Sequence, residues 1–549
     1  MNRNKLLLSF TILCVYVFGF GIDIMDVDAA QYASMSREML ESGNYLKLFD
    51  TGIPYLDKPP FLFWISSISI HFFGVNGFGY RLPSFLFGLL AIYSTYKIAR
   101  KYYGEKTALL AALMLSTAQG FFLMMHDVRT DTMLMGAVAF SIWQLDEWLD
   151  TRRLTAFCLG CIGIAVGMMT KGPIALFVPC FALGAQVFAK RDFRVLARWE
   201  YFLGIILIAL LLFPMSWGLY QQFDLHPETT VNGKNGVSGL RFFYWTQSFG
   251  RITGESPWNN GATPLFLLQN MLWAFLPWIL FFIPGWIQMA YRFIKDKGKL
   301  ATEREAITLG GFTLSYLALG MSKYQLPHYI FVAFPLAAII SAKYLSSLIL
   351  EGKTKILRNF YVTHSIIFSL IWLALFVLLF FPFPDLPILF PVLAFLGFLF
   401  FIFIVRKNKS NPNGLIIICL CTIIGVNLML NSIFYPRLLK YQAGSQCGKW
   451  LYENKIPTQN TFTCGFSVMR SLHYYAHGIV KEKNNIDAFN KGDYAITSPD
   501  SLSSFTQKGR QTEVLFRGEH YPVTLLGILF LNPKTRQSVV KPYVILKIK

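Results

Sequence analysis

Hydrophobic and polar positions divide this chain into two unequal parts. Through roughly the first 435 residues, apolar runs of about 18–25 residues recur, separated by short charged segments. A nearly uncharged run of that length suits an α-helix crossing the ~30 Å hydrocarbon layer of a bilayer. The pattern predicts spans near 5–22, 82–100, 107–125, 131–149, 154–170, 173–189, 201–220, 264–291, 305–321, 329–350, 360–381, 387–405 and 414–434. The expected fold class is a polytopic α-helical membrane protein with about 13 transmembrane helices. The stretch 61–73 (FLFWISSISIHFF) is apolar but short and ends at Gly74. It reads as a juxtamembrane helix in the interface, with His71 an ordinary side chain on its apolar face.

From Tyr435 onward the pattern changes. Gly, Asn, Ser, Lys and Thr interleave with short β-prone runs such as Tyr494-Ala-Ile-Thr and Tyr543-Val-Ile-Leu. The expected division is therefore a membrane domain over 1–434, with its first external loop at 23–82, and a small α/β domain over 435–549.

Charge orients this scheme. The chain carries 50 Lys and Arg against 30 Asp and Glu, a net +20. Basic residues cluster at Arg3/Lys5, Lys97–Lys106, Arg152/Arg153, Lys190–Arg198, Arg292–Arg304, Lys353–Arg358 and Arg406–Lys409. If all seven clusters face the cytoplasm, the spans between them must come in pairs, and they do. This places the N-terminus inside and the C-terminal domain outside, which in a bacterial inner membrane is the periplasm. No Ala-x-Ala cleavage site follows the first run, so it reads as a retained helix. The C-terminal segment is basic, 16 cations to 7 anions, which suits an anionic membrane surface or a phosphorylated glycolipid, or simply a solvated surface. Six of the eight cysteines lie in apolar spans, and Cys158-x-x-Cys161 reads as core packing there. Cys447 and Cys464 fall in the external domain, where a disulfide is permitted and its absence equally so.

The candidate chemistry lies at the external ends of the spans. Asp26-Val-Asp28 and Asp57-Lys58-Pro59-Pro60 flank the first loop at the membrane boundary, where a carboxylate facing lipid would cost several kcal/mol. Asp28 begins a helical pattern in which Tyr32, Met35 and Met39 share a face. A capping box of Asp28 with Gln31 is the purely structural reading. Asp26-x-Asp28 also has the form of a metal-dependent transferase motif, a weak signal alone. The prolines stiffen the presentation of Tyr55, Asp57 and Lys58. Later external corners carry Asp131, Lys171, Arg251, Lys323 and His328. Lys171 is read as a snorkelling cation. Several cations on one face, against the positive-inside trend, point to a site for a membrane-embedded anion.

These segments resemble a family. DVDAAQYASMSREML (26–40), PYLDKPPFLFW (54–64), RTDTMLM (129–135), TKGPIAL (170–176), FGRITG (249–254) and SKYQLPHYIFVAFP (322–335) are similar to the bacterial branch of the GT-C glycosyltransferases. That branch holds the lipid A aminoarabinose transferases and, more distantly, the dolichyl-phosphate-mannose protein mannosyltransferases. The resemblance implies a GT-C fold and an inverting transfer of a hexosyl or pentosyl group from a polyprenyl-phosphate donor. The acceptor would be a lipid A-like lipid, a glycan or a protein. It places the first catalytic carboxylate on Asp28, the second acidic residue on Asp131, and donor-phosphate contacts on Lys58 and Arg251. Lys323 is a further phosphate candidate, and Asp26, Tyr32, Tyr55, Asp57 and His328 complete the site. The family's Glu before Lys-Pro-Pro is Asp57 here, and Ser248 stands where aminoarabinose transferases carry a zinc-binding His. No zinc site is therefore predicted and no cofactor is called for, while help from a divalent cation is left open. No Walker A loop or Gly-x-Gly-x-x-Gly opens a helix, so no nucleotide or nucleic acid is implied. Two other readings compete: a transporter or flippase of polyprenyl-linked or other anionic lipids, and a membrane anchor presenting the external domain. A transporter favours charges near mid-bilayer in broken helices; here they sit at span ends.

Overall fold

The computed structural model describes residues 3–256, 258–296, 305–409, 411, 413–466 and 469–549. Lys297, Lys299 and Arg304 of the fifth internal basic cluster lie outside the described residues. Helices occupy every predicted span, but not always one helix per span. Helix α1 (Arg3–Phe20) is followed by α2 (Asp28–Ser42) and α3 (Phe61–Phe73) in the first loop. Then α4 (Gly77–Ser116) covers two predicted spans, its two parts separated by the left-handed backbone of Gly104 at φ 74°. The predicted span 107–125 is interrupted again after Ser116, and α5 (Gln119–His126) completes it. Three further helices follow: α6 (Thr130–Thr151), α7 (Leu154–Lys171) and α8 (Ile174–Lys190). The span 264–291 likewise splits into Phe266–Ala274 and Ile279–Lys295, separated by Pro277. Helix length therefore does not establish thirteen crossings. Among the described residues, seven helices are long and apolar enough to cross a membrane.

Two polar layers bracket the apolar core. At one end, Arg81 of α4 donates to the carbonyls of His126 and Phe20, and Asp131 opens α6. At the other end, Lys101 of α4 pairs with Asp146 and Asp150 of α6, and the Tyr103 hydroxyl donates to Glu305. Twenty residues of helix separate Arg81 from Lys101, roughly 30 Å at 1.5 Å per residue, about one hydrocarbon thickness. A charge in such a layer needs partners: Lys101 has carboxylates, Arg81 is satisfied by carbonyls, and Glu305 accepts from the Tyr103 and Thr308 hydroxyls.

The last helical run of the membrane part, Gly414–Tyr441, continues past position 434. The domain beyond it holds a five-stranded sheet: β3 (Thr461–Thr463), β4 (Lys481–Glu482), β5 (Tyr494–Thr497), β6 (Thr512–His520) and β7 (Lys541–Ile548) in the order β4-β3-β5-β7-β6. The first three pair in parallel, and β7 runs antiparallel to β5 and β6. Alternation along β7 sends Tyr543 and Ile545 to one face and Val544, Leu546 and Ile548 to the other. Cys447 packs on the first face and Cys464 on the second, so the sheet stands between them and both thiols are free.

Close packing between α4 and α6 depends on Gly136, where a Cβ would overlap the carbonyl oxygen of Phe87. Gly136→Val is expected to lower stability by about 1–3 kcal/mol through overpacking, read as a lower unfolding temperature in detergent. Gly184→Ala, where a Cβ meets open space, serves as the neutral control.

Candidate active site

The first loop is built on α2. Its apolar face buries Ala29, Ala30, Tyr32, Ala33, Met35 and Met39, and the Tyr80 hydroxyl donates to the Ala29 carbonyl at 2.9 Å. Gly43, left-handed at φ 67°, ends the helix. The expected capping box is not formed. Asp28 is the first helical residue and accepts an ion pair from Arg129 at 2.7 Å, while Gln31 donates to Asp50. Downstream, Pro59 and Pro60 lead into α3. The Asp57 carboxylate accepts from Asn232 at 3.0 Å, and its carbonyl accepts from Gln247. Lys58 is thereby held on a stiff turn.

These elements close over a cavity of about 310 Å³ lined by Asp28, Tyr32, Lys58, Arg129, Asp131, Lys171, Ser248, Arg251, His328 and Tyr329. The remaining wall is mostly apolar, with Leu134, Ile174, Phe177, Phe181, Leu319 and Val332 beside the polar Thr130, Gln247 and Ser322. The charges are not equivalent. Asp131 is buried and bonded to Lys171, with His328 Nε2 at 3.7 Å, and the Lys171 ammonium also lies 4.3 Å from the Tyr329 ring centroid. Arg129 is shared by Asp28 and Asp127, at 2.7 and 2.9 Å. Burial opposes its charge, but Asp127 and Asp28 outweigh that and hold it more firmly protonated than a free guanidinium.

Two cations remain. Among the described residues no carboxylate lies within ion-pair distance of Lys58 or Arg251. Arg251 donates to the Tyr329 hydroxyl at 2.6 Å and lies over Tyr324, while its buried Nε has no partner. Burial lowers the Lys58 pKa from the ordinary lysine value, Asp57 pulling it upward and Arg251 further down.

The structure thus gathers Asp28, Tyr32, Lys58, Asp131, Arg251 and His328 around one cavity and leaves four of the expected residues off its wall. Asp26 turns the other way: its carboxylate accepts from the Ser471 N–H at 2.9 Å and hydroxyl at 2.6 Å. Burial raises its pKa despite the Ser471 bonds and Arg470. Around it, Gln442 bonds the Asp26 N–H and the Ile24 carbonyl, the Tyr475 hydroxyl accepts from Ile24 N–H, and Lys449 pairs with Asp23 at 2.5 Å. Asp26 is therefore an anchor to the C-terminal domain, two residues from Asp28. Lys323 is exposed, its ammonium beside Gly254, and it acts through its backbone, donating to the Arg251 carbonyl at 3.0 Å. Tyr55 packs edge-on against Phe63, and Asp57 braces Lys58 from behind.

Two cavity cations had weak signals in the sequence. Lys171, expected to snorkel, is instead committed to Asp131, because a buried carboxylate draws in the nearest cation. Arg129 lies in an acidic corner; its signal is a lone arginine between Asp127 and Asp131. The residues do not fit a zinc site. Ser248 supplies no imidazole, the Asp57 carboxylate is engaged by Asn232, and among the described residues no group of three or more His, Cys, Asp and Glu gathers.

Residues 57–217 match the family model described as dolichyl-phosphate-mannose-protein mannosyltransferase. An uncharacterized protein of Aquifex aeolicus is 25% identical over 490 residues, covering 87% of this chain and 88% of that one. The undecaprenyl phosphate-alpha-4-amino-4-deoxy-L-arabinose arabinosyl transferase of Edwardsiella ictaluri is 26% identical over 329 residues, or 58% of this chain. That match spans 55% of the enzyme's own length. The crystal structure of ArnT from Cupriavidus metallidurans bound to undecaprenyl phosphate superposes with a TM-score of 0.73 at 18% identity, over 99% of this chain and 97% of that one. The fold is the GT-C fold.

Lys171→Met strands the buried Asp131 charge and is expected to cost about 3–5 kcal/mol, seen as a marked fall in unfolding temperature. Adding Asp131→Asn should restore most of that loss. Equal and additive losses would show that the two side chains are not coupled.

Proposed function

We propose that this chain is an inverting, polyprenyl-phosphate-dependent glycosyltransferase of the GT-C type, in the family of the aminoarabinose and dolichyl-phosphate-mannose protein mannosyltransferases to which it is similar. One observation carries this reading. Two cations without carboxylate partners, Lys58 and Arg251, stand at the polar end of an apolar cavity, with the Asp28 carboxylate on the same wall. An isoprenoid phosphate has the matching form, an anionic head on an apolar tail.

The acceptor oxygen attacks the anomeric carbon as the bond from that carbon to the phosphate oxygen breaks. Asp28 takes the acceptor's proton, and polyprenyl phosphate departs. The leaving group is already a phosphate anion, so the protein stabilises charge rather than supplying an acid. Lys58 and Arg251 receive it. Arg129 holds Asp28 in place, and Asp131 is a fixed negative charge that orients Lys171 and His328. The acceptor is a lipid A-like lipid, a glycan or a protein on the face bearing the C-terminal domain. That face is the periplasmic side of a bacterial inner membrane, with the N-terminus cytoplasmic. A lipid transporter is disfavoured by the opposite polar layer, where Lys101, Asp146 and Asp150 are tied to one another.

Asp28→Asn is expected to lower sugar transfer by about 10²–10⁴-fold, with undecaprenyl phosphate affinity within a few fold of the parent. Unaltered turnover of the variant would refute the assignment. A second expectation concerns pH. The depressed Lys58 pKa means its charge is lost at a lower pH than for a free lysine, so kcat/KM for the donor should fall as pH rises through that value. Lys58→Arg keeps the cation and should shift the falling limb to higher pH. A limb that does not move assigns it to another group.

A further inference from the structure

The C-terminal domain carries an apolar patch that its own elements leave uncovered. Between β6 and β7 the chain reads Tyr521-Pro-Val-Thr-Leu525-Leu526-Gly-Ile528-Leu529-Phe530. Leu525 is 73% exposed, Leu526 42%, Ile528 84% and Leu529 54%. Among the described residues of this domain, Tyr452 is the only other large apolar side chain exposed to that degree. Four exposed aliphatic side chains together on one short loop call for a partner.

The loop is held rigid. The Tyr521 ring stacks on Phe530 at 4.0 Å, and its hydroxyl donates to the Leu525 carbonyl at 2.7 Å and accepts from Gly527 N–H at 3.0 Å. Its height is set by Arg536. This buried guanidinium donates to the Phe530 carbonyl at 3.0 Å, to the Tyr441 hydroxyl at 3.1 Å and to the Pro382 carbonyl. Pro382 follows the span Thr354–Phe380, and Tyr441 ends the span Gly414–Tyr441. The patch is therefore fastened to the ends of two helices that are long and apolar enough to cross the membrane. On either side of the Pro382 turn, Phe381, Ile388 and Leu389 are 54%, 78% and 59% exposed. Lys440 and Lys534 lie exposed beside the loop, placed for lipid phosphates.

We propose that Leu525–Leu529 is a membrane-inserting loop whose partner is the acyl layer of the leaflet on the C-terminal-domain side. The four aliphatic side chains enter the lipid, and Arg536 transmits that depth to Tyr441 and the Pro382 turn. The domain is then held to the bilayer by lipid as well as to the first loop by the Asp23–Asp26 contacts. This does not depend on the reaction catalysed.

The test uses the full chain in phosphatidylethanolamine–phosphatidylglycerol nanodiscs, with benzoylphenylalanine at Ile528 or, separately, at Leu525. The control position is Lys508, beyond the far end of the nine-residue β6, roughly 30 Å from Tyr521 by strand rise. On irradiation, a phospholipid-mass adduct is expected at 525 and 528 and not at 508. Cross-linking to a second copy of the chain, equal lipid labelling at 508, or no adduct at either loop position overturns the proposal.

Discussion

An ionised group at the edge of a hydrocarbon layer is tolerated only with a partner, and that constraint shapes the cavity. Lys171 neutralises Asp131, and Arg129 is shared between Asp127 and Asp28. What remains after these pairings is a pair of cations, Lys58 and Arg251, whose counter-charge the described protein residues do not provide. The site is in this sense electrostatically incomplete, and the proposed donor phosphate completes it. The same rule acts in the opposite layer, where Lys101 bridges Asp146 and Asp150.

Incompleteness of charge is useful only if the groups are held still, and the holding is long-range. The segment Asp23–Asp26 is gripped by Gln442, Lys449, Ser471 and Tyr475, residues more than 400 positions away in the chain. Arg470 reaches Asp50 at 2.8 Å, bracing the far end of α2's packing against the two-stranded turn that follows. The C-terminal domain is thus part of the site's framework rather than an appendage. A lipid-seated loop on that domain would fix the framework's height relative to the leaflet, because Arg536 and Tyr441 connect the two rigidly.

The carboxylates of Asp26 and Asp28 show why two neighbouring identical side chains do different work. Asp28 starts α2 and projects toward Arg129, whereas Asp26 precedes the helix in a turn and its carboxylate is directed to Ser471. A transferase-type Asp-x-Asp motif requires both carboxylates on one metal, and here they face different partners.

Sequence alone determined the properties that depend on local periodicity and composition. The apolar helical runs, the short helix 61–73, the helical start at Asp28, the charged residues at the ends of the runs and the change of character near Tyr435 are all of this kind, because hydrophobic length and helix period are read along the chain. Tertiary structure decided which charges pair and which stay unmatched. It moved Lys171 from snorkelling cation to partner of Asp131, brought in Arg129, turned Asp26 and Lys323 into supports, split spans after Ser116 and at Pro277, and set Cys447 and Cys464 on opposite faces of a sheet. Each of these depends on groups far apart in sequence meeting in a low-dielectric layer, and no pattern along the chain records which of several candidate ions lies closest.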